Sequence, residues 1–508
     1  MSEAIVIGGG FGGIAAALRA RAKGYNVTLF DQCNQLGGRA QVFHKKGFTF
    51  DAGPTVITAP FLFEELFSLF NKNINDYVDI VPVEPWYRFY FPDGDTFDYS
   101  ANIEETIAEI ERISPKDTDG YRTLLKASEE IFDIGFTELA DTPFHEFSKM
   151  ISQVPHLIRL KCFQSVWQLV SNHLSHDKLR QAFSIQPLLV GGNPFDTTCI
   201  YSLIHFLERK WGVHFAMGGM GALTKALEKL MVEEGISISL NTSVSNIETD
   251  LGFVKSVNLA DGSNKPCDVL ISNCDPKHFY KHMVSPKDLD LSAKIKSKFA
   301  KSSMGLYVLY FGTNKQYDDV AHHTIWLGKR YEALLEDIFD KKILADDFSL
   351  YIHRPTASDP SLAPEGCDTF YVLSPVPNLE GGQDWQTIRK EYGNKIISAL
   401  EDTLLPDLRK NICVQFDMTP MDFKSDYLSE SGTGFSVAPT LLQSAWFRFH
   451  NKSEGIKNAF LVGAGTHPGA GLPGVLSSAK VLEHILPPPS RSSLPDIKQL
   501  TSLSHNRS

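Results

Sequence analysis

No stretch of this sequence reaches eighteen consecutive apolar residues, so no membrane-spanning helix is expected. Cysteine is sparse. Cys33, Cys162, Cys199, Cys267, Cys274, Cys367 and Cys413 are scattered, odd in number and nowhere spaced C-x-x-C. That argues against a disulfide framework or a zinc ribbon and leaves buried, reduced thiols as the expectation. The 16 histidines form no H-E-x-x-H or similar ligand spacing, so no metal is expected. Basic residues are outnumbered, 49 against 60 acids, and the net charge of −11 argues against a nucleic-acid partner. Also absent are a G-x-S-x-G elbow, a Ser/His/Asp pattern and a paired-carboxylate motif, so no catalytic residue is assigned. The chain opens with Ser2-Glu3 and then an apolar run, without the basic and apolar regions of a secretory leader, so a cytoplasmic location is expected. What remains is an ordinary globular composition, 43% hydrophobic and 21% charged, over 508 residues, enough for two or three domains.

The strongest local pattern is AIVIGGGFGGIAAALRARAKGYNVTLFDQ. It predicts a buried strand at Ala4–Ile7, a helix over Ile14–Lys23 and a second strand at Asn26–Phe30 ending on Asp31. Gly8, Gly10 and Gly13 give G-x-G-x-x-G, with Phe11 and Gly12 inside it. The first glycine allows the tight turn, the second lets a pyrophosphate approach the backbone, and the third lets helix and strand pack closely. The helix N-terminus offers free N–H groups and a positive dipole end to phosphate. Asp31 stands where a carboxylate accepts from ribose hydroxyls. These residues predict dinucleotide binding and leave NAD and FAD both open.

A second glycine-rich stretch, GAGTHPGAGLPGV (Gly463–Val475), lies near the other end, between an apolar run, AFLV, and LSSAKVLEHIL, which has helical spacing. Between the two, Ser237–Pro276 alternates with period two and turns at Asp250-Leu251-Gly252 and Asp261-Gly262, a strand meander. Met217–Gly235 predicts a helix after a glycine turn. Met150–Leu174 places Ile151, Val154, Leu157/Ile158, Val166/Trp167, Val170 and Leu174 near helical spacing, with Pro155 expected to break it into two short helices. Around it lie five basic residues, Lys149, Arg159, Lys161, Lys178 and Arg180, against the single acid Asp177. Basic and aromatic residues beside an apolar face fit a helix lying in a membrane interface, as they also fit a core helix with a solvated basic face.

Several segments resemble one family. LGGRA (Leu36–Ala40) is similar to the second signature of the flavoproteins that include amine oxidases and carotenoid desaturases. FTFDAGPTVIT (Phe48–Thr58), LLVGGNPFDTTCIYSLIHFLERKWGV (Leu188–Val213), AHHTIWLGKRY (Ala321–Tyr331), the segment Asp347–Leu379, SVAPTLLQSAWFRFHN (Ser436–Asn451) and VGAGTHPGAGLPGV resemble the bacterial-type phytoene desaturases, FAD-dependent carotenoid desaturases. The resemblance runs from about Ala4 to Leu486.

It implies an α/β fold: a Rossmann-type, doubly wound but discontinuous FAD-binding sheet, a mixed-sheet substrate domain and a helical part facing a membrane. The boundaries expected are 1–85, 216–300 and 446–486 for the FAD-binding parts, 86–215 and 301–445 for the substrate parts, and 487–508 for a disordered tail. Beside the first loop and Asp31, it implies FAD contacts from Gly38, Arg39 (on the pyrophosphate), Gly53, Pro54, Thr55, Val244 (at the adenine), Gly465, Thr466, Gly474 and Val475. His467 is expected to position structure or flavin rather than to catalyse. Thr466 stands where the amine-oxidising branch usually carries an acid, which disfavours amine oxidation.

The activity implied is desaturation of a lipid-dissolved C40 carotene by hydride transfer to flavin N5, yielding lycopene or neurosporene. The location implied is peripheral on a membrane, and the electron acceptor, quinone or oxygen, stays open. Alternatives within the fold are a C30 diapophytoene desaturase, a carotenoid isomerase or a carotenoid oxygenase. Outside it in function is a flavin-free lipid-binding protein of the GDP-dissociation-inhibitor type, which would need neither both glycine loops nor Asp31.

Overall fold

A computed structural model describes residues 2–489; the expected tail beyond 489 lies outside the described residues. Five short strands form an all-parallel sheet in the order Ala459–Leu461, Val269–Ser272, Glu3–Ile7, Asn26–Phe30, Ser237–Ser239. A parallel strand is covered on both faces, so its residues read as continuously apolar. The period of two then sorts them. Ala4 and Val6 join a cluster with the helices Phe11–Ala22, Gly219–Glu233 and Leu472–Lys480. Ile5 and Ile7 join a cluster with Val244, Val254 and Val257 of the antiparallel meander Val244–Asp250, Phe253–Leu259, Asn264–Pro266. Helices therefore cover one face and a small sheet the other. The segment Ser237–Pro276 is a meander only in its middle, because Ser237–Ser239 and Val269–Ser272 belong to the parallel sheet.

The second large sheet has seven strands, ordered Ile412–Met418, Gly305–Thr313, Asp368–Val376, Leu350–His353, His323–Trp326, Tyr87–Tyr90, Thr96–Tyr99. All its pairings are antiparallel except His323–Trp326 with Tyr87–Tyr90. Every residue of Gly305–Thr313 is buried, as expected of a central strand packed on both faces. The chain thus visits the two large sheets alternately.

The basic stretch corrects one expectation. Pro155 sits inside a continuous helix, Phe147–Arg159, and the break comes later, at Lys161 (φ 53°), before the helix Val166–His173. No residue of Phe147–Arg159 is buried, so water can solvate the Ile151 carbonyl that Pro155 leaves without a donor. The two halves also face different surroundings: Val166, Val170 and Leu174 are core, whereas Phe147, Ile151, Val154 and Ile158 are 41–64% exposed. Of the five basic residues, Lys178 pairs with Asp93 and Asp95, and Arg180 with Asp177. Lys149, Arg159 and Lys161 stay with the exposed helix and its turn.

Among the described residues no helix is long and apolar enough to cross a membrane. All seven cysteines are unpaired; Cys162, Cys199 and Cys267 are buried, and Cys413 is exposed rather than buried as expected.

Candidate active site

Ligands of open parallel sheets sit beyond the carboxyl ends of the strands. Three ends meet here. Glu3–Ile7 runs into the first glycine loop, Val269–Ser272 into Asn273, and Ala459–Leu461 into the second glycine loop. The Asn273 amide bonds the Ile7 carbonyl at 2.8 Å, so the asparagine stands between the loops.

The first loop is held tightly. A Cβ on Gly13 would lie 1.8 Å from the Gly8 carbonyl oxygen, so only glycine lets the helix meet the strand here. Asp31, 8% exposed at the end of its strand, accepts from the Gly9 N–H at 2.5 Å and the Cys33 N–H at 2.7 Å. A carboxylate has about four acceptor sites, so it braces the loop and keeps acceptor capacity for a ribose.

The GG-R and D-A-G-P turns form one unit: a Cβ on Gly53 would lie 2.3 Å from the Arg39 carbonyl oxygen. The Arg39 guanidinium is buried, which lowers its pKa, and Nη2 donates to Ser429 Oγ at 3.0 Å. Its Nε has no partner among the described residues. A buried guanidinium with a free donor beside a helix N-terminus is fitted to an anion, and a dinucleotide pyrophosphate is one.

The second loop is braced from behind. Arg448, 2% exposed, donates Nε to the Thr466 carbonyl at 3.0 Å and Nη2 to the Ala464 carbonyl at 2.6 Å. Thr466 Oγ1 donates to the Gly463 carbonyl at 2.9 Å. His467 Nε2 donates to the Leu139 carbonyl at 2.9 Å, and burial pushes its pKa down to about 4, so the ring is neutral. Pro473 lies in the first turn of the helix Leu472–Lys480, whose N-terminus opens onto the same space.

Both loops line one cavity of about 450 Å³. Gly8, Gly10, Phe11, Gly12, Asp31, Gly38, Arg39, Gly53, Pro54, Thr55, Val244, Gly474 and Val475 all lie on its wall, as does His467. Gly13, Gly465 and Thr466 do not. They stand behind the wall: Gly13 against Gly8, Gly465 against Pro276 and Ser436, and Thr466 in the Arg448 network. For Gly465 and Thr466 the structure shows support of the loop from behind.

Beyond the glycine loops the cavity continues as an apolar arm lined by Phe136, Leu157, Val190, Ile200, Leu306 and Leu373, among others. Two polar pairs interrupt it. Thr55 Oγ1 and the Tyr351 hydroxyl are 2.6 Å apart. The Tyr87 hydroxyl donates to Glu208 Oε1 at 2.9 Å. Burial pushes the Glu208 carboxyl up to about 8, so it is largely protonated at neutral pH, and its second oxygen has no partner among the described residues. Met150, Gln153 and Leu157 line the cavity from one face of the helix Phe147–Arg159, and Leu441 and Ala445 line it from a segment that packs against the same helix through Phe147 and Trp446, ring centroids 4.8 Å apart.

Sequence reasoning missed Asn273, Glu208, Tyr87 and Arg448. Asn273 follows a predicted strand end, which is the one signal that could have found it. Glu208 and Arg448 lie in segments that resemble the family, but nothing in those segments singles them out, and Tyr87 meets Glu208 from 121 residues away.

The sequence profile of the flavin-containing amine oxidoreductases matches residues 11–481. A lycopene-forming phytoene desaturase of Pseudescherichia vulneris is 45% identical over 489 residues, 96% of this chain and 99% of that one. A neurosporene-forming phytoene desaturase of Rhodobacter capsulatus is 41% identical over 493 residues, 96% of this chain and 94% of that one. Among solved structures, an oxidoreductase from Methanosarcina mazei superposes with a TM-score of 0.66 at 16% identity, covering 95% of this chain and 100% of that one.

Proposed function

The chain belongs to the family of flavin-containing amine oxidoreductases, and from that premise we propose that it desaturates phytoene, with FAD as its cofactor. The observation that carries the reading is the one cavity that both glycine loops line together with a set of apolar side chains. Such a lining suits a hydrocarbon chain and offers little to an amine.

Bound FAD supplies the acceptor for the hydride that leaves a CH2–CH2 unit. The chain supplies the rest. The first loop, Asp31 and Arg39 hold the phosphates and ribose at one end. The second loop and the N-terminus of Leu472–Lys480 present backbone N–H groups at the other, where negative charge is stabilised. The arm orients the polyene and keeps water from the carbocation that hydride loss leaves on it.

The substrate is dissolved in lipid, and the exposed apolar side chains are placed for a membrane surface. Phe147, Ile151, Val154 and Ile158 lie on the helix that lines the arm, with Phe163 beyond it, and Leu442 (72% exposed) follows the cavity-lining Leu441. Lys149, Arg159 and Lys161 beside them suit anionic headgroups. The protein is therefore read as peripheral on the membrane, with quinone or oxygen reoxidising the flavin.

The test is product analysis after incubating the FAD-loaded protein with phytoene in liposomes. Lycopene or neurosporene is expected. Conversion only of a C30 substrate, or only of an already conjugated carotene, would overturn the C40 reading and keep the fold. The double variant Ile151→Asp/Ile158→Asp should abolish flotation with anionic vesicles and leave flavin content unchanged; unaltered flotation would contradict the membrane face.

A further inference from the structure

The absence of metal-ligand spacing along the chain does not extend to three dimensions. His322 and His323 precede and open the strand His323–Trp326, and His353 ends Leu350–His353, directly opposite His323 in the antiparallel register. The three imidazoles are 3%, 0% and 0% exposed, and one ring nitrogen from each lies within 4.8 Å of the others.

Their hydrogen bonding is one-sided. His322 Nδ1 is 2.7 Å from Ser358 Oγ, and His323 Nδ1 is 2.7 Å from the Tyr351 hydroxyl. A neutral imidazole carries one ring proton. With it on Nδ1 and donated to those oxygens, each Nε2 keeps a lone pair. Both Nε2 atoms lack a partner among the described residues, as do both nitrogens of His353.

The fourth group is Asp51, 3% exposed. Its Oδ1 accepts from the Met220 N–H at 2.9 Å, while its Oδ2 lacks a hydrogen-bond partner and lies 3.5 Å from His353 Nε2. Five unpartnered buried polar atoms in one pocket are a departure from the rule that such groups are satisfied. The pattern is that of a metal site: two imidazoles oriented through Nδ1 by an outer partner, a third with both nitrogens unpartnered, and a carboxylate to supply charge. Phe215 and Tyr371 pack against the cluster and keep it dry.

We propose that His322, His323, His353 and Asp51 form a structural site for a first-row divalent cation of the zinc type. Imidazole-rich sets with one carboxylate suit zinc, which takes four ligands tetrahedrally. Tetrahedral nitrogens about 2.1 Å from a metal stand about 3.4 Å apart, so the three imidazoles need to close by up to about 1.4 Å, and Asp51, 3.5 Å from His353 Nε2 but outside their 4.8 Å group, must swing towards the other two. The cation ties two strands of the large sheet to Asp51. That residue starts the Ala52–Thr55 turn on the cavity wall, and His323 reaches the same wall through Tyr351 and Thr55. The inference is independent of the substrate.

The test loads the FAD-containing protein with zinc sulfate, removes free metal by gel filtration and counts zinc by mass spectrometry. One zinc per chain is expected, with an X-ray absorption first shell of nitrogen and oxygen only and with a raised melting temperature. His353→Gln and His322→Gln should each lower zinc affinity at least about tenfold, and so should the outer variant Ser358→Ala, which leaves the ligands in place. His278→Gln, in the part-exposed group His278, His282 and Glu430, should leave the tightly held zinc unchanged. Zinc absent from the wild-type protein, sulfur in its first shell, or zinc held by His353→Gln and Ser358→Ala as tightly as by the wild-type protein would overturn the site.

Discussion

The two glycine loops lie at the carboxyl ends of the same parallel sheet and face the same cavity, yet they are held by different means. The first is held by its neighbours in sequence: Gly13 lets the helix touch the strand, and Asp31, at the end of the next strand, pins Gly9. The second is held from outside, by one buried arginine whose guanidinium spans two of its carbonyls, and by the Ser478 hydroxyl on the Gly463 N–H at 2.8 Å. A phosphate cradle needs only backbone N–H groups and a helix end, which a strand–turn–helix supplies locally. A wall for the reactive end of a cofactor must also meet substrate, and its position is set by what packs behind it.

The largest effect should come from the tightest contact of the first loop. Gly13→Val drives a side chain into the Gly8 carbonyl, separating helix from strand. Overpacking of this kind costs about 1–3 kcal/mol or more, and here it also removes the cradle. No flavin absorbance and a collapsed melting transition are expected; a yellow, cooperatively melting variant would break the comparison at its root.

Arg448→Met comes next. It leaves the Thr466 and Ala464 carbonyls buried without donors, at about 1–3 kcal/mol each. The variant should lose FAD while still binding ADP, because the phosphate loop is untouched, and calorimetry with both ligands reads the difference. Arg39→Met should do the reverse. It weakens ADP and FAD alike by about 1.5–3 kcal/mol, tenfold or more, with little change in the melting temperature of the ligand-free protein. Equal losses of ADP affinity in the two variants would dissolve the distinction between the loops.

The smallest effect lies away from both. Glu208 holds its proton up to about pH 8 in the fold and releases it near the ordinary carboxylate value when unfolded. The unfolded chain therefore binds fewer protons between those values, and stability is full below the lower one and falls as pH rises towards 8. Glu208→Gln should flatten that slope in melts across the window while leaving FAD affinity intact. An unchanged slope would move the titration elsewhere.

The same contrast explains what the sequence made legible. The first loop, its helix and Asp31 fall within thirty-one residues, and period and spacing read them directly. The turn at Leu36–Ala40 and the C-terminal loop were readable through resemblance, since each has a glycine pattern of its own. Arg448 and Glu208 stand inside segments read through resemblance, and Asn273 at a predicted strand end, but nothing there singles out the residue, because the pairing of Tyr87 with Glu208 and of Arg448 with the loop carbonyls exists only once the chain has packed. Pro155 misled for a related reason: whether a proline ends a helix depends on whether its orphaned carbonyl meets water, and exposure is a tertiary property. Gly465 and Thr466 lay in the right loop but on its hidden side, which spacing alone does not resolve.

The account's central claim is that the two loops set one flavin against a polyene in the apolar arm. Anaerobic mixing of the FAD-loaded protein with phytoene liposomes, followed by visible absorbance, tests it most directly. The account predicts bleaching of the flavin together with a rising polyene band, in proportion to each other. A flavin that stays oxidised while phytoene stays colourless would contradict it.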